Sequence, residues 1–317
     1  MKLPFELVER EVLVKKESKA ELGTNPEERP TEEIVTYGVI NIDKPKGPTS
    51  HQVSDFVQKI LNIKKAGHSG TLDPGVTGVL AVAIGRATRI VQTLLPAGKE
   101  YICLMHIHKD VGEKAVYKVL DFFKGEIRQK PPLKSAVKRV ERTRSIYYIN
   151  VIEIKGQDVL FKVGCQAGTY IRKLCHDIGR KLGCGAHMQE LRRTKAGPFG
   201  ESTLFTLQDL TDAFHYYKEG NDTFIRKIIQ PVENAIQHIP KVWILDNAVG
   251  SILHGIDLKI PGVSKLHNLI EKDQLTAIMT LKGELVAIGK AAMSSKEMIK
   301  TEKGIAVNVH KVFMQQS

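Results

Sequence analysis

The longest uninterrupted apolar run in this chain is Val79-Leu80-Ala81-Val82-Ala83-Ile84. Six such residues suit a strand, and they fall far short of the roughly 20 that a membrane-spanning helix needs. A sheet is therefore the element around which the chain must organise. Further strand patterns occur at Gly38 to Ile42, Tyr101 to His108, Ile146 to Ile154 and Val159 to Cys165. Between them the apolar spacing turns helical. Thr49 or Ser50 can cap a helix that runs through Lys59, with Val53, Val57 and Ile60 on its apolar side. Other helical stretches are expected at Ala87 to Leu95, Lys114 to Phe123, Tyr170 to Leu182, Leu207 to Tyr217 and Phe224 to Ile229. Past Pro231 and Pro240 the pattern changes again. Ala277 to Leu281, Leu285 to Ala291 and Ile305 to Phe313 read as short strands between Gly turns, which predicts a small β-barrel. The fold class expected is α+β, and 317 residues suit two domains.

Residues 1 to 34 stand apart. They hold nine Glu against six Lys or Arg, with Asn25-Pro26 and Arg29-Pro30 interrupting any helix. This segment has no core of its own, though Val12-Leu13-Val14 could add a strand to a larger body. The segment is net −3, so the rest of the chain carries +15 against +12 for the whole. A basic body attracts polyanions, RNA or DNA before an anionic membrane, although a solvated basic surface has the same composition. The N-terminus lacks an apolar signal core, so a soluble, cytoplasmic protein is expected. The cysteines at 103, 165, 175 and 184 form no Cys-x-x-Cys pair and show no zinc spacing with His. They read as free thiols in a reducing compartment, and no metal site is expected. No Walker loop, Gly-x-Ser-x-Gly or Gly-x-Gly-x-x-Gly occurs, so nucleotide cofactors have no support.

Several stretches could carry chemistry. Asp73 lies between Leu72 and Pro74, among glycines at 67, 70, 75 and 78. Glycines let a backbone approach a ligand, and a carboxylate on such a loop can be a nucleophile, a base or a ligand. Taken alone, it is more often a turn carboxylate that only stabilises its loop. Gly168-Thr169-Tyr170-Ile171-Arg172 opens a helix, and an arginine there can pair with a carboxylate or phosphate. An ordinary surface arginine fits equally. Arg192-Arg193 could bind phosphates or form a solvated charged face. Tyr101 could stack on a base, but most tyrosines at a strand start are packing residues. Lys134 to Arg144 holds five basic residues and one Glu, including Lys138 and Arg139.

Together these stretches resemble one family. Asn41-Ile42-Asp43-Lys44-Pro45 with Gly47 and Thr49-Ser50 is similar to the first motif of the TruB-type pseudouridine synthases. Gly67-His68, Gly70-Thr71-Leu72-Asp73-Pro74, Thr77-Gly78 and Gly85-x-Ala87-Thr88-Arg89 resemble the catalytic motif. Lys99-x-Tyr101, Gly168-Thr169-Tyr170-Ile171-Arg172 and Leu191-Arg192-Arg193-Thr194 resemble the remaining three. Five motifs in order form a specific signal. Pro96 to Tyr101, Lys134-Ser135-Ala136-Val137-Lys138-Arg139 and Ala167 to Arg172 look like the dyskerin-type enzymes of box H/ACA ribonucleoproteins. His254-Gly255-Ile256-Asp257-Leu258 with Pro261-Gly262-Val263 looks like a PUA domain.

The resemblance implies a bent, mixed, mainly antiparallel sheet with flanking helices, followed by the PUA barrel. It implies an N-terminal extension (1–34) packing on the barrel, a catalytic domain (35–237) and a PUA domain (238–317). Asp73 would be the nucleophile, Arg172 its partner and Tyr101 the ring that stacks on the flipped uracil. Ile171, Leu191 and Tyr170 would line the pocket, with His68 and Lys44 beside it. Lys138, Arg139, Arg192, Arg193, Gly255, Pro261 and Gly262 would bind RNA. No metal or cofactor is implied. Implied partners are a guide RNA, substrate rRNA and tRNA, and three accessory proteins: zinc-ribbon-like, glycine/arginine-rich and kink-turn-binding. The missing Lys-rich tails of eukaryotic dyskerins suggest an archaeal member. Standalone bacterial enzymes carry a longer insertion after the position of Ala136, and its shortness here favours guide dependence. A guide-free tRNA enzyme and a non-catalytic RNA scaffold remain alternatives, and whether Asp73 attacks C1′ or C6 stays open.

Overall fold

The computed structural model describes residues 1–131 and 138–315. The Lys134-Ser135-Ala136-Val137 resemblance lies outside the described residues. The short strand β1 (Val12–Val14) comes first in the chain. The larger sheet contains β2 (Gly38–Lys44), β3 (Ala66–His68), β4 (Thr77–Ile84), β5 (Lys99–Ile107), β6 (Gly125–Gln129), β7 (Arg142–Lys155), β8 (Asp158–Cys165), β9 (Ala186–Ala196), β10 (Phe199–Gly200) and β11 (Ile229–Pro231). Its main path runs β11-β2-β4-β9-β5-β8-β7-β6. The β4–β9 contact is parallel and the other pairings of this sheet are antiparallel among the described residues.

The longest apolar run owes its composition to β4, which is covered on both faces. Leu80, Val82 and Ile84 pack with helices Ser50–Leu61 and Leu207–Lys218. Val79, Ala81 and Ala83 pack on the opposite side with Ala277, Met279 and Phe313 from the C-terminal domain. A strand buried twice cannot alternate apolar and polar residues. At the other end of the sheet, helices Glu113–Phe122 and Ile171–Leu182 cover one face only. Cys103, Met105, Phe161 and Val163 meet Leu174 and Ile178 there, while Ile102 and Leu104 on the opposite face are only half-buried.

The C-terminal domain contains β12 (Lys241–Ile244), β13 (Leu258–Lys259), β14 (Val263–His267), β15 (Leu275–Met279), β16 (Leu285–Ala291) and β17 (Ile305–Val312). Together with β1 they form a seven-stranded sheet in the order β1-β14-β12-β15-β16-β17-β13. It wraps a core that includes Val242, Leu266, Ile278 and Val307. β1 pairs antiparallel with β14, so Leu13 sits opposite Leu266. The coreless N-terminal segment is thus ordered by a sheet edge it does not own. Further bonds extend the contact: the Lys15 side chain donates to the carbonyls of Ile299 and Thr301, and the Glu284 side chain accepts from the Thr24 backbone.

Two sequence expectations need correction. The stretch holding Arg192-Arg193, read as a phosphate site or a solvated charged face and given no strand, belongs to the strand β9 at the centre of the sheet. Bulges at Glu100/Tyr101 and Leu104/Met105 in its pairing with β5 break the two-residue periodicity that would have marked it. The helix near Phe224 is also shorter than expected. It spans Ile225–Ile228, and Ile229 already belongs to β11.

Candidate active site

The loop between β3 and β4 carries Asp73, and several side chains fix its path from below. Ser50, in the first turn of its helix, accepts a hydrogen bond from the Leu72 backbone at 2.8 Å. The helix cap is Thr49, which accepts from the Gln52 backbone. Lys44 is fully buried and donates to the carbonyls of Pro45, Pro74 and Val76. Its three donors match three acceptors, which holds an ammonium where no carboxylate touches it. Burial lowers its pKa, with Arg193 adding to that effect and Asp73 opposing it. Lys44 therefore sits beneath the loop, beside the pocket rather than in its wall.

Arg193 corrects the sequence expectation of a phosphate contact. Its side chain is buried, with the residue 1% exposed, and no phosphate can reach it. Nε donates to the Val79 carbonyl at 2.7 Å and Nη2 to the Gly70 carbonyl at 3.2 Å. Its charge also lies close enough to the Tyr101 phenol to oppose the rise that burial gives that group's pKa. One guanidinium thus ties the Asp73 loop and β4 together. Gly78 makes this closeness possible: its φ is +100°, and a Cβ there would stand 2.2 Å from the Arg193 carbonyl oxygen. Arg192 is committed as well. It forms a bidentate pair with Asp43 at 3.0 Å and a further bond to Glu201 at 2.7 Å. Two carboxylates balance its charge, so it is poorly suited to grip phosphates.

Above this scaffold Asp73 meets Arg172, with Nη2 2.7 Å from Oδ2. The partners come from residues 99 positions apart, one on the loop and one in the first turn of helix Ile171–Leu182. The two side chains are 55% and 64% exposed. An ion pair that open contributes only about 0–1 kcal/mol to folding. Its consequence is orientation: the carboxylate is held at one oxygen, and the other takes no protein hydrogen bond among the described residues. Arg172 also lines a cleft of about 570 Å³, together with Gly75, Val76, Leu191 and the half-buried Ile102 and Leu104. Tyr101 is buried, with its ring in the core beside Leu72 and Ile171. Burial raises the phenol pKa, so the ring is neutral near pH 7. Ile171 is buried in the same cluster. Tyr170 is half-buried, and its backbone N–H and C=O are both bonded to Gln129.

His68 is half-buried and edge-on to His51, with centroids 4.8 Å apart. Its Nδ1 accepts from the Gly70 backbone. Burial, with help from His51 and Arg193, lowers its pKa from 6.5 to about 4. The unfolded chain therefore takes up this proton first, and the contribution to stability falls as pH drops from about 6.5 towards 4. Titration followed by NMR is expected to show the His68 ring neutral down to about pH 5. A midpoint at or above 6 would refute that environment.

Lys138 and Arg139 are exposed in the connection to β7. Gly255, Pro261 and Gly262 lie in the C-terminal domain. Gly262 has a packing reason to be glycine, since a Cβ there would come within 2.8 Å of Ala248. Among the described residues no three His, Cys, Asp or Glu side chains are grouped to hold a metal. No described helix is long and apolar enough to cross a membrane. Sequence reasoning missed Ser50 and Arg193 as supports of the loop. The only available signal was their place inside recognised motifs, because neither contact is local.

Family models match along nearly the whole chain. Residues 1–54 match a DKCLD (NUC011) domain, and 58–114 and 106–171 match the TruB family pseudouridylate synthase N-terminal domain. Residues 172–237 match a tRNA pseudouridylate synthase B C-terminal domain, and 240–313 a PUA domain. A protein of Pyrococcus furiosus named probable tRNA pseudouridine synthase B is 59% identical over 97% of this chain and 92% of its own length. Its namesake in Methanosarcina barkeri is 53% identical over 99% and 94%. Among solved structures, a chain of a Cbf5-Nop10-Gar1 complex superposes with a TM-score of 0.94 at 58% identity, covering 98% of this chain and 96% of that one. A chain of an H/ACA RNP bound to a substrate RNA containing 2′-deoxyuridine gives 0.93 at 55% identity, covering 99% and 98%.

Proposed function

Because the chain belongs to the TruB family of pseudouridine synthases, we propose that it isomerises uridine as the catalytic subunit of a guide-RNA-dependent box H/ACA ribonucleoprotein, with Asp73 as nucleophile. The observation that carries the assignment of Asp73 is its pairing with Arg172 on a rigidly supported loop at the rim of a cleft. The guide-dependent part is supported by full-length similarity to chains solved with Nop10 and Gar1 and with substrate RNA in H/ACA particles. Partners of those kinds are assigned to this chain on that basis, while a kink-turn-binding protein and a cytoplasmic setting follow from the motif resemblance alone.

The reaction breaks the N1–C1′ bond of uridine and joins C5 to C1′. The C5 proton leaves to a base and N1 gains one, so there is no net redox change. A stacked base must first be extruded, at a cost of a few kcal/mol. Asp73 forms a transient covalent bond to C1′ or to C6 that breaks again before the product leaves, and its pairing with Arg172 orients the carboxylate for either. Tyr101 offers a neutral aromatic face, Leu191 and Ile171 supply apolar wall with Tyr170 beside them, and His68 supports the displaced RNA strand. Lys44, Arg193 and Ser50 act through the loop they hold.

A second reading is favoured by the names of the curated relatives: guide-free modification of tRNA. One assay addresses both. The purified chain is incubated with a tRNA transcript alone, and in parallel with guide RNA, accessory proteins and a guide-matched RNA. Pseudouridine in the matched RNA only when guide is present is the expected result. Equal product in both arms without guide would overturn guide dependence, and no product in any arm would leave only a scaffold.

A further inference from the structure

The arginine pair most conspicuous in the sequence, at 192 and 193, is occupied internally. A different pair is left over. Strands β6 and β7 run antiparallel, with Gln129 opposite Arg142 and Ile127 opposite Arg144. Residues two apart on a strand project to the same face, so Arg142 and Arg144 stand together. They line a small cleft of about 80 Å³ with Gln129, Pro131, Gly168 and Tyr170. None of these six residues is acidic.

Arg142 is exposed and has no hydrogen bond or ion pair among the described residues. Arg144 is half-buried. Its Nη1 donates to the Thr143 carbonyl at 2.8 Å, while its Nε is shielded from solvent and has no acceptor. That N–H is out of solvent's reach, so an incoming oxygen meets the Nη groups of Arg144 rather than Nε. The guanidinium lies over Gly168, where an added Cβ would meet Nη2 at 3.1 Å and Nε at 3.2 Å. On the other side Gln129 clamps the Tyr170 backbone through both of its amide atoms. The cleft is thus held open by fixed backbone and lined by two cations. It is too small for a base, and paired guanidiniums match the oxygens of a phosphate.

Its place gives this meaning. Tyr170, in the wall of the cleft, is two residues from Arg172, a separation of about 7 Å at most. The cleft and the partner of Asp73 are thus joined through the same short stretch of backbone at the start of helix Ile171–Leu182. We propose that Arg142 and Arg144 form a subsite for a phosphodiester of the RNA strand that presents the target uridine, holding the backbone next to the nucleotide at Asp73. The proposal rests on reading Asp73 as an RNA-modifying site.

The test uses the assembled complex and a guide-matched RNA oligonucleotide. Single-turnover product formation is followed against RNA concentration and salt. Arg142→Gln is expected to raise the half-saturating RNA concentration about tenfold and to leave the saturating rate within about threefold, because phosphate contacts position rather than react. The slope of log affinity against log salt should drop by about one. Arg142→Lys should recover part of the loss. RNAs with a single neutral methylphosphonate, walked past the uridine, should show one position that costs wild type the same factor and costs Arg142→Gln nothing further. Arg144→Gln should behave alike with its melting temperature recorded, and exposed Arg142 provides the arm free of folding effects. Unchanged half-saturation and salt slope in both variants would overturn the subsite. So would methylphosphonate effects that add to Arg142→Gln at every position, as would be found if an acidic protein partner filled the cleft. A wild-type complex that binds RNA without making pseudouridine would count against Asp73 instead, and anisotropy with the same RNAs would still measure the subsite.

Discussion

Asp73→Asn is expected to lower pseudouridine formation by about 10⁴-fold or more, the scale seen when a reacting group is removed, while RNA affinity stays within about twofold. The carboxylate is more than half exposed and makes one ion pair, so its loss should cost the fold no more than about 0.5 kcal/mol. Everything that shapes its loop remains in the variant. Val76 still donates to the residue 73 carbonyl, and Ser50, Lys44 and Arg193 keep their bonds to the loop backbone. The amide preserves shape and removes only charge and nucleophilicity. Asp73→Ala provides a second variant that cannot revert by deamidation. Single-turnover product yield and RNA anisotropy are measured on the same preparation. Turnover within tenfold of wild type by either variant would remove Asp73 from the chemistry. A parallel loss of RNA binding would show that it serves the interface instead.

The second large effect concerns stability. Arg29, in the N-terminal segment, is 1% exposed. It forms a bidentate pair with Glu233 at 2.7 and 2.8 Å and lies 3.5 Å from Glu284. Its guanidinium also stands 5.1 Å from the centre of the Tyr37 ring. Glu233 further accepts from the Leu285 backbone. Burial alone would lower the Arg29 pKa, but the bond and charge of Glu233 outweigh it and hold the group well above its ordinary value. Replacing the arginine by methionine leaves two nearly buried carboxylates facing each other without a cation. Breaking such a pair costs about 3–5 kcal/mol. Denaturant unfolding of the full chain is expected to show that loss for Arg29→Met. A smaller penalty should follow when Glu233→Gln is added, since the amide keeps an acceptor for Leu285 and removes the stranded charge. A change below about 1 kcal/mol in Arg29→Met would mean the network contributes little.

Much of the site was legible in sequence because it is built from short local patterns. Gly70 and Gly78 around Asp73, and Gly168 before Arg172, stand at positive φ where the backbone favours glycine. The helix that presents Arg172 carries Leu174 and Ile178 at spacing that buries one face. β4 was legible for a different reason, since burial on both faces leaves a continuous apolar run. β9 was not, because its bulges disrupt alternation and its arginines face partners that the chain reaches only after folding. Arg192 and Arg193 look alike in sequence, and so do Arg142 and Arg144. Only their partners separate them: Asp43 and Glu201 for one, backbone carbonyls for another, and no bond among the described residues for exposed Arg142.

The ordered motifs alone determined the family, the identity of the candidate nucleophile and the presence of a C-terminal β domain. These depend on residue types at short spacing, where chain connectivity already fixes proximity. Tertiary structure decided which charges remain available. A guanidinium's interaction with solvent or RNA depends on whether a carboxylate or carbonyl lies within about 3 Å of it. Those acceptors come from residues more than 100 positions away in the case of Arg192 with Asp43 and Arg193 with Val79. Tertiary structure also decided how the N-terminal segment is ordered. Its three-residue strand and buried Arg29 are stable only against a sheet edge and two glutamates that lie over 200 residues further along the chain.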